Sequence, residues 1–256
     1  MSREVLAHYR DLVLVLVAKE LKVRYRSTVL GYAWSLLHPL AFAAIFFVLF
    51  KVIMRIPRED YALFLVTGLF PWQWFANSIG ASTGSFLHNS SLIRKVMFPR
   101  SLLVLAGVLN DMFHFLVSVP VIVLFLLYHR TVPSLAAVAL LPLIVLIQLL
   151  FTHGVALALA TCNLFFRDLE RLAVIVTTLW FYVTPVLFPA DMIPPGFGWV
   201  VYANPMAAIV GCWRGLFLDG AVPGTLLGLA AAWSLVALAV GHRIYRALHW
   251  RFAELV

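Results

Sequence analysis

Four ionisable side chains fall inside long apolar stretches of this sequence: His38, Asp111, His114 and His153. A charge at membrane depth is costly and marks a functional candidate by default. Asp111 and His114, at i and i+3, share one helix face and can satisfy each other, which would make the pair structural. A proton relay would need further acids in other apolar stretches, and none is visible. The eleven acidic residues form only two close sets, Glu59-Asp60 and Asp168-Leu169-Glu170. Neither resembles the clustered oxygen ligands that Mg²⁺ and a pyrophosphate demand. No G-x-x-x-x-G-K-S/T loop is present to cradle ATP. There is no His/Cys metal spacing and no catalytic triad, so the expectation is a chain that is not an enzyme and carries no cofactor or metal.

Aromatic residues are more informative. Trp34, His38, Phe42, Phe46 and Phe50 recur every fourth residue, a stripe down one helix face. Phe70, Trp72, Trp74 and Phe75 surround Pro71, and Trp180, Phe181 and Tyr182 are consecutive. Aromatic faces stack on the apolar C–H surface of sugar rings and let them slide. The same residue types also build interfacial belts and helix packing, and both readings stay open.

The elements that must position these residues are long and apolar. The 256 residues are 63% hydrophobic and 12% charged, against about 45–50% and about 25% in soluble domains. A bilayer core needs roughly 20 apolar residues per helical span. Six stretches approach that length: 32–50, 61–86, 101–128, 133–163, 172–188 and 225–245. Between the last two, residues 194–218 are apolar but broken by Pro194, Pro195, Gly196, Gly198, Pro205 and Gly211. Irregular backbone at membrane depth must be covered by protein or line a cavity, so two short helices re-entering from one face are expected.

Six crossings place both termini on one side. Of the 19 lysines and arginines, fourteen fall in the N-terminal segment, the loops after the second and fourth spans, and the C-terminal tail. Lys51, Arg55, Arg58, Arg130 and Arg214 fall opposite. The positive-inside rule puts both termini in the cytoplasm. Residues 1–30 read as an interfacial helix, because the run from Leu12 to Ala18 is too short to cross and charges bracket it. The net charge of +8 is explained by orientation in the bilayer, without nucleic acid. Cys162 and Cys212 fall near opposite faces, so no disulfide is expected. The whole chain, 1–256, reads as one transmembrane domain.

Five segments then combine: RYRSTVLGYAWSLLHPL at 24–40, LFPWQWF at 69–75, LIRKVMFPR at 92–100, NLFFRDLERLAVIVTTLWFYVTPVLFP at 163–189 and YANPM at 202–206. In that order they resemble the membrane subunit of type-two ABC exporters for polysaccharides, most closely the O-antigen export permeases. The resemblance implies an all-α integral membrane fold in the bacterial inner membrane, with six transmembrane helices, an N-terminal interfacial helix and periplasmic gate helices at 194–218. It implies a homodimer, two copies of a cytoplasmic ATPase that carry ATP and Mg, and an undecaprenyl-pyrophosphate-linked glycan as cargo. Residues 89–100 match the coupling helix, so Leu92, Ile93, Arg94, Lys95 and Phe98 are expected at the ATPase, joined by Phe165, Arg167 and Asp168. Lys22, Arg24 and Arg26, at headgroup depth, would hold the lipid pyrophosphate, or simply anionic membrane lipids. Phe42, Phe46, Trp180 and Tyr182 would line the glycan channel. Rival readings are a capsule or teichoic-acid exporter of the same architecture, a membrane-embedded glycan-modifying enzyme and a proton-driven transporter.

Overall fold

Long apolar runs leave the backbone no polar partner except its own helical turns, and helix follows throughout. A computed structural model describes residues 3–25, 31–96 and 98–252, with the backbone alone for 3–6, 24, 25, 32, 35 and 195. Among these residues there is no strand. The helices are α1 (Arg3–Tyr25), α2 (Trp34–Phe47), α3 (Tyr61–Thr83), α4 (Ser85–His88), α5 (Ser90–Lys95), α6 (Ser101–Tyr128), α7 (Leu135–Ala139), α8 (Leu141–Asn163), α9 (Leu169–Val183), α10 (Trp199–Ala203), α11 (Pro205–Phe217) and α12 (Gly224–Leu248). A wider π-helical segment, Val48–Ile53, prolongs α2.

Four stretches are long and apolar enough to cross a bilayer: Leu36–Ile53, Ser101–Tyr128, Leu141–Asn163 and Gly224–Arg251. The chain is thus a multi-pass membrane protein. The other two expected crossings fall on α3 and α9. With 23 residues α3 is long enough, but Thr67, Gln73, Asn77, Ser78, Ser82 and Thr83 dilute its hydropathy. Its environment explains them, because α3 packs against α2, α6, α8, α9 and α11. A helix sheathed in protein can carry polar side chains that a lipid-facing one cannot. α9 has only 15 residues.

Prolines set the boundaries that differ from expectation. The stretch 133–163 is two helices with a break at Leu140. Pro142 has no N–H for the carbonyl four residues back, so a continuous helix is interrupted there. The stretch 172–188 is helical only to Val183, because Thr184 precedes Pro185 and is extended at ψ 135°. Within 194–218 the chain forms two short helices, α10 and α11, separated by Asn204 at ψ 109° ahead of Pro205. The Asn204 side chain accepts from Met206 N and Ala207 N, an N-cap for α11.

The interior is tied by a few polar contacts. Gln148 of α8 donates to Pro71 O of α3 at 2.7 Å and accepts from Trp213 Nε1 of α11 at 2.6 Å. α8 and α12 meet closest at Gly154 and Gly241, where a Cβ on Gly241 would collide with the Gly154 carbonyl. Small residues let membrane helices approach to this distance.

Candidate functional site

The α2 aromatics form a ladder. Ring centroids are 5.0 Å apart for His38–Phe42, 6.2 Å for Phe42–Phe46 and 6.4 Å for Phe46–Phe50. Phe46 meets Phe181 of α9 at 5.7 Å. Together with α3 these helices enclose a groove of about 260 Å³, lined by His38, Phe42, Phe46, Gln73, Asn77, Phe181 and Tyr182 among others. The groove adjoins a cavity of about 680 Å³ between α2, α3 and α6, which adds Trp34, Asp111, His114 and Ser118. His38, Gln73, Asn77 and Gly80 border both. Asp111 is buried and accepts from Ser78 Oγ at 3.2 Å.

Of the four expected channel residues, Phe42, Phe46 and Tyr182 border the groove and Trp180 does not. Two residues along a helix turn the side chain about 200°. Trp180 therefore lies against Phe75, with ring centroids 5.4 Å apart, and donates through Nε1 to Asn204 Oδ1 at 2.8 Å. Asn204 Nδ2 in turn donates to Thr184 Oγ1 at 3.0 Å. Trp180 thus belongs to a clasp between the end of α9 and the start of α11. Arg214 holds the linker after α9 from the other side, donating to Pro185 O and Val186 O with its guanidinium 3.6 Å from the Phe64 ring. Phe181, Gln73 and Asn77 border the groove without having been singled out as channel residues. Two amides four residues apart, with Ala76 and Gly80 on the same face, were the available signal.

At the opposite end of α3, a short corner leads through α4 to α5. Ile93 faces the protein and is buried, Leu92 and Phe98 are half-buried, and Arg94 and Lys95 are exposed. In the turn between α8 and α9, Phe165 is half-buried while Phe166, Arg167 and Asp168 are exposed. The two segments are neighbours, since a Cβ on Gly84 would lie 3.0 Å from Glu170 Oε2. Lys19 of α1 donates to Asn89 Oδ1 at 2.8 Å. Phe252 is fully buried against Phe86 and Tyr245, with centroids 5.0 and 5.8 Å away, and Arg100 donates to His249 O. Lys22 is exposed on α1; the Arg24 side chain and Arg26 lie outside the described residues.

At the start of α3, Arg58 grips Asp60 at 2.7 and 3.0 Å. Partial burial pushes the Asp60 carboxyl up, but the paired guanidinium outweighs it and holds the group below its usual value.

The profile of a family described as ABC-2 type transporter matches residues 11–218. An "O-antigen export system permease protein RfbA" of Klebsiella pneumoniae is 44% identical over 98% of this chain and 97% of its own length. A protein of the same name from Myxococcus xanthus is 34% identical over 97% and 96%. A "Polysialic acid transport protein KpsM" of Escherichia coli is 23% identical over 90% and 91%.

Proposed function

The chain belongs to the ABC-2 type transporter family, and on that premise we propose that it is the permease subunit of an ATP-driven O-antigen exporter. It is a transporter component, not an enzyme, and works with a cytoplasmic ATPase partner. The cargo in this reading is an undecaprenyl-pyrophosphate-linked polysaccharide crossing the bacterial inner membrane. The observation that carries it is 44% identity, over nearly the full length of both chains, to a protein named for O-antigen export.

In the same reading α3 and α9 complete six crossings, both termini are cytoplasmic, and 194–218 re-enter from the periplasmic side. A second copy covers the exposed apolar face of α9, so that two grooves form one channel. Phe42, Phe46 and Tyr182 offer stacking surfaces to the glycan, while Trp180 braces the gate. Arg94, Lys95, Phe98, Phe165, Arg167 and Asp168 meet the ATPase directly, with Ile93 anchoring the coupling helix from below. Lys22, Arg24 and Arg26 hold the pyrophosphate through charge-assisted bonds before transport. ATP and Mg bind on the partner. A capsular cargo ranks second, because the relative named for polysialic acid is far more distant.

The test is removal of the chain from a cell that makes a lipid-linked O-antigen. The glycan should accumulate at the cytoplasmic face and return to the surface when the chain is resupplied beside a functional ATPase, and not beside an inactive one. Surface glycan at normal levels without the chain would end the reading.

A further inference from the structure

Gln148 and Asn204 show how this fold treats amides at membrane depth, since both bond to protein through oxygen and nitrogen. Gln73 and Asn77 are treated differently. Among the described residues neither has a hydrogen-bond partner, and both line the groove and the cavity beside it. Gln73 is half-buried and Asn77 is exposed along the groove, so both amides can bond whatever enters it.

Their placement indicates what that is. At i and i+4 they share one face of α3, about 6 Å apart along the axis, a separation comparable to one sugar residue. Each amide both donates and accepts, which complements hydroxyl groups that do the same. Gly80 continues this face, and a Cβ there would meet nothing within 4 Å, so the groove floor is open beside the amides. Across the groove stand the Phe42 and Phe46 rings. One wall offers stacking and the other offers hydrogen bonds, the two kinds of contact a sugar ring can return.

We propose that Gln73 and Asn77 form a hydrogen-bonding rail that engages the sugar hydroxyls of the passing glycan. This rests on the export reading and names two residues for its path. Stacking tolerates any sugar, whereas the rail favours units that present hydroxyls at its spacing.

The test uses the full chain with its ATPase in cells deleted for the native gene. Gln73→Leu with Asn77→Leu keeps the side-chain volume but removes both amides. Two hydrogen bonds at the weaker end of the ordinary net range correspond to about a tenfold effect. Pulse-labelled glycan should therefore reach the surface about tenfold more slowly, with membrane accumulation and ATPase co-purification held within about twofold. Gln73→Asn with Asn77→Gln should recover most of the rate. An unchanged rate in the leucine variant, or equal loss in the amide-swapped variant, would overturn the rail. Should the leucine variant fail to accumulate, Asn77→Cys in a background lacking Cys162 and Cys212 supplies a second measurement. Maleimide labelling at position 77 should be protected when vanadate stalls the exporter with the cell's own glycan engaged, and labelling without protection overturns the proposal. Surface glycan that depends on the chain but not on these amides defeats the rail alone. Surface glycan that does not depend on the chain defeats the export reading itself.

Discussion

Where α8 meets α12, the backbones come so close that Gly154 and Gly241 have no room for a methyl group. Across the molecule, α2 and α9 touch through Phe46 and Phe181 but leave Phe42, Ile45, Ile175, Leu179 and Tyr182 exposed. Two helices of similar apolar composition differ in burial: 56% of the most apolar window of α8 is buried within the chain, against 11% of 36–53, while α12 seals α8 with one face and is itself only 17% buried. Apolar residues alone therefore do not tell a helix buried by its own chain from one left exposed by it. The difference lies in the small residues. Glycine closes the first region, and aromatic rings hold the second open.

The largest effect should come from forcing the closed region apart. Gly241→Leu places a side chain on the Gly154 carbonyl, and overpacking of this kind costs about 3 kcal/mol or more. The chain should fail to accumulate in the membrane, measured by quantitative blotting against the unaltered protein. Normal accumulation would show that the seam is looser than its geometry. The open face should respond differently. Leu172, Ile175 and Leu179 lie at i, i+3 and i+7 on α9 and are each at least half exposed. Changing all three to alanine should leave accumulation intact. Co-purification of two differently tagged copies should fall at least about tenfold, or about 1.4 kcal/mol. Unchanged pairing would remove α9 from the dimer contact.

The sharpest contrast lies within one helix. Trp180→Leu deletes a bonded indole from the packed side of α9 and should lower thermal stability by about 2 kcal/mol. Tyr182→Leu on the open side, combined with Phe46→Leu across the groove on α2, should leave stability nearly unchanged and slow export several-fold, as loss of aromatic contacts of about 1 kcal/mol requires. Exchange of these two outcomes would mean that the two sides of α9 have been assigned the wrong roles. The smallest effect belongs to the partly exposed Arg58–Asp60 pair, where Asp60→Asn should cost about 0.5 kcal/mol. Because the native Asp60 carboxyl titrates lower than the free side chain, its contribution is present above about pH 4. It is lost as pH falls through the native value, so the variant and the parent should converge in acid.

Much of this was legible in the sequence. The four-residue aromatic repeat fixed the α2 ladder, and the prolines and glycines of 194–218 marked α10 and α11. Family motifs pointed to the export reading that the relatives support. Other features were not legible, for physical reasons. Periodicity says which residues share a face but not which face turns inward, so Trp180 and Tyr182 could not be separated before Asn204 was placed. Pro142 and Pro185 were visible as residues, yet apolar length outweighed them and both helices were drawn too long. Gln73 and Asn77 carry no decisive signal in the sequence, because an amide in an apolar helix gains meaning only once its partners, or their absence, are known.

The burial of Phe252 has a consequence for how the molecule is made. Its ring packs on Phe86, beside the corner that leads into α5, and Arg100 reaches the neighbouring His249 carbonyl. A ribosome reaches position 252 long after position 86, so that corner lacks its Phe252 contact until α12 has been synthesised. Translation order thereby becomes assembly order: a chain halted before its last helix leaves Phe86 uncovered on this side, and a completed one covers it.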